Sequence, residues 1–274
     1  MTGKLDIAFV LPVYNGEDTI LETINSILNQ TISNLRLIVL DNGSTDRTTS
    51  IVENVRDPRI KIIEFSHKKD LSESLNRAFS INISCPMCLC HADDIFYPEY
   101  AENILRAITE YPEVEVFFSN ADIINEKGAL VFSVKNLVKK VINYFDPVLM
   151  GEYSALRLIF MNTLIAPSAC FVKGGNAIDY IFDNKFAFYV DVDLWCQFLF
   201  DNRCLRVVKK SLIGYRVHAQ QQSASASVWI RQSEELKSLI EKHVEKSSVP
   251  SFFKSMCFLA FFTRYFIKKI TSFL

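Results

Sequence analysis

Four clusters in this chain hold side chains able to do chemistry. Asp93-Asp94 follows directly on the apolar run Met87–Cys90. Two adjacent acids at the end of a strand are costly unless water or a cation meets them. Mg2+ and Mn2+ prefer carboxylate oxygen and often take only one or two protein carboxylates beside substrate phosphates. The same pair would also serve as the cap of the next helix. Asp41-Asn42-Gly43-Ser44-Thr45-Asp46 is a turn whose carboxylate and amide suit a base or ribose, with Gly43 permitting close backbone approach. A plain strand-to-helix connection capped by Ser44 or Thr45 accounts for it equally. Asp191, in Val190-Asp191-Val192-Asp193-Leu194-Trp195, is placed either to complement a helix dipole or to act as a general base in a cleft. Tyr215-Arg216-Val217-His218 offers a guanidinium for phosphate and an imidazole for metal or phosphate, the alternative being a packed, satisfied histidine.

The elements needed to position these clusters are readable in the first half. Apolar runs at Ile7–Leu11, Leu37–Leu40, Ile60–Phe65, Met87–Cys90 and Val114–Phe118 predict strands. Between them, Asp18–Gln30 carries Ile20, Leu21, Ile24, Ile27 and Leu28 at helical spacing. Further helices are expected near 46–55, 71–80 and after Pro98. Strands alternating with helices imply a mostly parallel sheet covered on both faces, with ligands outside the carboxyl ends of its strands. The polar clusters Tyr14-Asn15-Gly16, Asp41–Ser44 and Asp93-Asp94 fall at those ends. Residues 133–166, apolar and basic without alternation, read as helical, and Asp191–Phe200 as another helix.

Composition excludes other classes. The 274 residues carry 30 Lys+Arg against 31 Asp+Glu, so no bulk basic footprint for nucleic acid exists. Cys85, Cys88, Cys90 and His91 resemble a metal cluster, but no second Cys-x-x-Cys accompanies them. They read as small apolar residues of a buried strand, in a chain whose cysteines stay reduced. The glycine fingerprints of dinucleotide-binding and P-loop enzymes are absent. A sugar nucleotidyltransferase would be expected to carry a Gly- and Arg-rich loop where Tyr14-Asn15-Gly16-Glu17 stands.

Taken jointly and in order, the motifs Pro12-Val13-Tyr14-Asn15-Gly16-Glu17, Leu28-Asn29-Gln30-Thr31, Leu40–Asp46, Ser74-Leu75-Asn76-Arg77-Ala78, His91-Ala92-Asp93-Asp94, Asp191–Trp195 and Tyr215–His218 resemble the inverting nucleotide-sugar glycosyltransferases of family 2. The resemblance covers about residues 5–225. It implies the α/β GT-A fold, a Rossmann-like, mostly parallel sheet with helices on both faces, plus a C-terminal helical extension. Residues 1–225 would form the GT-A domain, with 1–120 the nucleotide-sugar half and 121–225 the acceptor half. Residues 226–274 would form the extension.

By the same resemblance, Pro12, Tyr14, Asn15 and Glu17 line the nucleotide pocket, and Asp41 with Asn42 contacts the base. Asn76 and Ala92 join the donor site. Asp93 binds Mn2+ or Mg2+ on the diphosphate, helped by Asp94 and His218, and Asp191 is the catalytic base. The donor is expected to be a nucleoside-diphosphate sugar, UDP- or dTDP-linked, and the acceptor a saccharide or lipid-linked saccharide of bacterial surface-polysaccharide synthesis.

Three positions depart from the family pattern: His91 for the first Asp of Asp-x-Asp, Asn42 for a frequent second Asp, and Val190 for a Glu before the base. The processive Gln-x-x-Arg-Trp motif is absent, which favours addition of one sugar. The departures at His91 and Asn42 also admit a non-catalytic sugar-nucleotide-binding or scaffold subunit.

The end of the chain differs in character. Ser247–Leu274 holds Lys254, Arg264, Lys268 and Lys269 and no acid, among eight Phe or Tyr. It is expected to lie as a helix on an anionic membrane surface, or else to pack on the catalytic domain or a second copy of a homo-oligomer. The N-terminus lacks an export or spanning signal, so the expected location is cytoplasmic, peripheral on the inner face of the membrane.

Overall fold

The computed structural model describes residues 6–217, 226–245 and 247–251. It begins β1 (Ile7–Val13), α1 (Ile20–Leu28), β2 (Leu35–Asp41), α2 (Thr48–Asn54), β3 (Ile60–Glu64), α3 (Leu71–Phe79) and β4 (Met87–Leu89). Next come the short β5 (Ile95–Phe96), α4 (Tyr100–Glu110), β6 (Val114–Ile124), α5 (Val134–Phe145), β7 (Val148–Leu149) and α6 (Gly151–Met161). The chain continues through β8 (Ala169–Phe171), α7 (Val190–Phe200), β9 (Cys204–Arg216) and α8 (Ala226–His243).

The strands form one mixed sheet in the order β3-β2-β1-β4-β8-β6-β9-β5, with β7 on β9. The half that carries β1 to β4 is parallel. Beyond it, β8 runs antiparallel to both β4 and β6, and β5 antiparallel to β9. The expected GT-A architecture is therefore present, with an antiparallel insertion in its centre.

Strand β1 shows why the apolar runs are continuous rather than alternating. Ile7, Phe9 and Leu11 enter one core layer with Ile20, Ile24, Phe96 and Tyr100, while Ala8 and Val10 enter the other with Leu75, Phe79 and Phe171. A strand buried on both faces has no polar side to display. Helix α3 starts where Asp70 accepts from the Glu73 amide at 2.8 Å, a side-chain N-cap.

Two expectations change. Residues 133–166 are not one helical stretch: α5 ends at Phe145, β7 pairs Leu149 with Leu205, and α6 ends at Met161 with Asn162 capping it in the left-handed region. Nor does packing break at residue 225. Leu236, Leu239 and Ile240 of α8 are buried in the same layer as α6 and α7, so the described part of the C-terminal region completes the core. Residues 252–274 of the expected tail helix lie outside the described residues. No described helix is long and apolar enough to cross a membrane.

Candidate active site

The carboxyl ends of β1 and β4 open on a cleft of about 680 Å³ lined by Pro12, Tyr14, Asn15, Thr19, Ala92, Asp93 and Glu126 among others. Its floor is built by the loops. The Asn15 amide donates to Ser44 Oγ at 2.9 Å, and the Thr45 amide donates to Asn15 Oδ1 at 2.8 Å. Asn15 sits at φ 50° and Gly43 at φ 79°, where a Cβ on Gly43 would stand 3.2 Å from the backbone of Phe65, His67 and Lys68. This is the one turn in the site that requires glycine for its conformation. Lys68 Nζ lies 4.1 Å from the centre of the Tyr14 ring, at the cleft rim.

A second cavity of about 290 Å³ adjoins the first and is lined by His91, Asp93, Phe182, Phe188, Asp191 and Tyr215 among others. Asp93 borders both. Asp191 stands in the first turn of α7, where Val192 N donates to its Oδ1 at 2.8 Å. Burial pushes its carboxyl above the usual carboxylate range, against the amide bond and the nearby His91 and Lys139. Burial likewise lowers His91, outweighing the attraction of Asp93 and Asp191, so the imidazole stays neutral near pH 7. Lys139 on α5 is lowered to about 8 by burial and by the charge of Lys135.

Supporting groups hold these two acids in place. Arg216 is fully buried and fans out beneath the Asp93 loop: Nε donates to the Asp93 carbonyl at 2.8 Å, and Nη1 donates to the carbonyls of Glu126 and Asn125 at 2.8 and 3.2 Å. Its Nη2 pairs with Glu22 at 2.5 Å. On the other side, Glu235 of α8 accepts from the amides of Ala187, Phe188 and Tyr189 at 3.0, 2.8 and 3.3 Å, which fixes the turn leading into Asp191. Asp193, one turn face away from the cavity, is completely buried against Lys242 (2.9 Å) and His243 (2.7 Å).

Of the residues expected at the ligand, the structure places Pro12, Tyr14, Asn15, Ala92 and Asp93 along the larger cleft, and Asp191 in the adjoining cavity. Several others have different partners. Asp94 is fully buried, its carboxylate accepting from the Arg216 amide and from Ser168 Oγ at 3.3 Å each, so it faces the core and lines neither cavity. Asn76 exchanges two 2.8 Å hydrogen bonds with the backbone of Phe182, clamping α3 to the loop before α7 rather than facing the donor cleft. Glu17 accepts from Arg47 Nε and the Arg47 amide at 3.0 Å, and Asp18, not Glu17, reaches the cleft.

Asp41 and Asn42 are nearly buried and do not line the cleft. Asp41 accepts from the Ser44 amide, and Asn42 Oδ1 accepts from Arg77 Nη1 at 2.6 Å. Arg216, expected on phosphate, is instead the buried brace just described. His218 lies outside the described residues. Glu126 and Lys139 carry no sequence signal for the site, whereas His91 has one in its place in the His91-Ala92-Asp93-Asp94 motif.

Cys88 in β4, Cys170 in the neighbouring β8 and Cys90 just after β4 are buried, and no group of three His, Cys, Asp or Glu able to hold a metal occurs among the described residues. Among the described residues expected on a metal, Asp93 is the one that borders both cavities. That set fits a hard cation completing its coordination with diphosphate and water, and does not fit a resident structural metal.

Residues 8–162, more than half of the chain, match the family described as "Glycosyl transferase family 2". Among curated relatives, an uncharacterized glycosyltransferase of Haemophilus influenzae is 27% identical over 80% of this chain and 67% of its own length. The Escherichia coli enzyme WfaP, named a UDP-Glc:alpha-D-GlcNAc-diphosphoundecaprenol beta-1,3-glucosyltransferase, is 27% identical over 85% of this chain and 86% of its own. Among solved structures, S. aureus TarS 1–349 in complex with UDP-GlcNAc superposes with a TM-score of 0.67 at 17% identity, covering 96% of this chain and 73% of that one. The Pyrobaculum calidifontis mannosyltransferase PcManGT, solved with GDP-Man and Mn2+, gives 0.59 at 16% identity over 93% and 69%. With the matched region spanning β1 to α6 and the sheet arranged as in these structures, the chain belongs to glycosyltransferase family 2 and is a glycosyltransferase with the GT-A fold.

Proposed function

We propose that this protein moves a single sugar, with inversion, from a nucleoside-diphosphate donor to a saccharide or lipid-linked acceptor in surface-polysaccharide synthesis. The observation that carries the reading is the shared wall: Asp93 borders both the larger cleft and the cavity holding Asp191. The diphosphate end of a donor in the first would meet an acceptor hydroxyl in the second. Asp191, raised by burial, is suited to take that hydroxyl's proton as the oxygen attacks the anomeric carbon opposite the leaving nucleoside diphosphate. Asp93 would hold Mn2+ or Mg2+, which supplies neutralisation of charge on the leaving diphosphate. Tyr14 and Asn15 bind the nucleotide on the cleft wall, and neutral His91 lines the acceptor side without competing for the proton.

The name of WfaP, a UDP-glucose enzyme acting on a diphosphoundecaprenol-linked sugar, supports a UDP-sugar donor and a lipid-linked acceptor here. Such an acceptor places the protein peripherally at a membrane. The basic, aromatic end of the chain, 247–274, is part of that proposal. Hydrolysis and transfer measured across a panel of UDP-, dTDP- and GDP-sugars, with and without Mn2+, test the assignment. Turnover of one UDP- or dTDP-sugar that is lost on adding a chelator supports it. Binding of a nucleotide sugar with no turnover on any acceptor would leave the non-catalytic reading in its place. Asp93→Ala should weaken nucleotide binding in Mn2+ by about tenfold or more while changing metal-free binding little, as calorimetry would show.

A further inference from the structure

Helix α5 is built inside out. Its inward face is polar: Asn136 donates to the Ala121 carbonyl at 3.1 Å, and Asn143 donates to Asn120 Oδ1 at 2.9 Å and the Thr163 carbonyl at 3.2 Å. Lys140 pairs with Asp122 and Lys139 donates to the Leu164 carbonyl, each at 2.5 Å. Its outward face is apolar. Val134, Leu137, Val138, Val141, Tyr144 and Phe145 are between 49% and 80% exposed. At about 100° per residue these six fall within one arc of about 120°, the arrangement of a helix that meets an apolar phase on its outer side. Leu130 and Phe132, immediately before the helix cap, are 73% and 81% exposed and extend the apolar surface.

The charges nearest this surface are mainly basic, with Glu126 and Asp146 only at its two ends, Asp146 being paired with Arg157. Residues 127–145 contain Lys127, Lys135, Lys139 and Lys140 and no acid. Lys135 is exposed, and Lys209 of β9 stands 4.5 Å from the Tyr144 ring. An apolar stripe bordered by lysines matches the depth profile of an anionic bilayer, hydrocarbon beneath phosphate. It does not match a second copy of the same surface, which would bring the lysines of both copies together.

We propose that the outer face of α5, with residues 130–132, is a docking surface for an anionic lipid bilayer. The inner edge of the same helix carries Lys139, whose charge reaches Asp191. Seating α5 on lipid thus brings the cavity of Asp191 to the membrane surface. This surface is distinct from residues 252–274 and stands apart from the sugar-transfer reading, since vesicle binding reads the surface and donor hydrolysis reads the site.

The full chain should co-sediment with vesicles of phosphatidylglycerol and phosphatidylcholine, and weakly with phosphatidylcholine alone. Val138→Glu with Val141→Glu should reduce that binding about tenfold or more. Lys135→Glu with Lys209→Glu should bring it down towards the phosphatidylcholine level. All four positions being at the surface, both variants should keep the wild-type melting temperature, and the paired Val variant should also keep donor hydrolysis in detergent-free solution. The proposal is overturned if the paired Val variant binds phosphatidylglycerol vesicles as wild type does, because the chain's end would then carry the contact. Failure of the wild type to bind those vesicles would overturn it too. So would a wild-type dimer that the Val variant converts to monomer, because a second copy would then be what covers α5.

Discussion

Replacing Arg216 by methionine would remove the donor that holds the Asp93 loop to the end of β6. In the wild type the guanidinium meets the carbonyls of Asp93, Asn125 and Glu126 and the carboxylate of Glu22. Methionine fills much of the volume and satisfies none of them. The Glu22 side chain is 51% exposed and can rehydrate, so its loss costs little. The Asn125 carbonyl keeps its bond from the Gly128 amide, while the carbonyls of Asp93 and Glu126 lose their donor, and unmet groups of this kind cost about 1–3 kcal/mol each. The net loss should be about 3 kcal/mol, which in a domain of this size lowers the melting temperature by roughly 6–12 °C. Binding of a nucleoside diphosphate with Mn2+, measured by calorimetry well below the transition, should weaken about tenfold or more, because the Asp93 carbonyl is the nearest anchor of the carboxylate expected to take the metal. Arg216→Lys keeps the charge but not the fork, and should recover stability only in part. If Arg216→Met melts within about 2 °C of wild type and binds the nucleotide unchanged, Arg216 is not the brace described here.

Other consequences follow from the supporting network and from pH. Glu235→Ala leaves three amides at 187–189 without their acceptor. It should cost about 2–4 kcal/mol in urea unfolding and lower kcat more than it changes donor affinity, since only the approach to Asp191 is loosened. Gly43→Ala forces a side chain into φ 79° against backbone at 3.2 Å and should cost about 1–3 kcal/mol, with weaker nucleotide binding. Asp191 must be ionised to act as a base and its pKa is raised by burial. The acid limb of a kcat profile should therefore lie above the ordinary Asp value of about 3.9, with one proton lost as activity rises.

Much of the first half was legible because its signals are local. The period of Ile20, Ile24 and Ile27, the apolar run of β1 and the turn at Asp41–Ser44 each specify their element without help from distant residues. The region after β6 was not, because its elements are fixed by partners far away. The two residues of β7 are a strand only because β9 lies alongside. Strand β9 itself was hidden by Arg206, Lys209 and Lys210, and β8 is three residues inserted between β4 and β6. In the site, the two acids Asp93 and Asp94 are indistinguishable in sequence. Which one turns inward is decided by Arg216 and Ser168, both remote in the chain. Asn76 and Glu17 hold backbone and a neighbouring arginine for a related reason: a polar residue in a family motif can hold the loop as readily as the ligand. The sequence of α5 reads as helical, but periodicity does not say which side faces the body. Only the acceptors offered by Ala121, Asn120 and Thr163 show that its polar side is the inner one.

The central claim, that Asp191 is the base of a sugar transfer, is tested most directly by Asp191→Asn, with turnover, donor affinity and melting temperature measured on the same preparation. A carboxyl raised by burial makes its ionised form a cost to the fold. Stability should therefore fall as pH climbs from the ordinary carboxylate range through the raised value. The asparagine variant, free of that cost, should melt at or above the wild-type temperature at neutral pH. Its donor affinity should be unchanged and its kcat lower by about 10²–10⁴. Near-wild-type transfer by a folded Asp191→Asn protein would contradict the account.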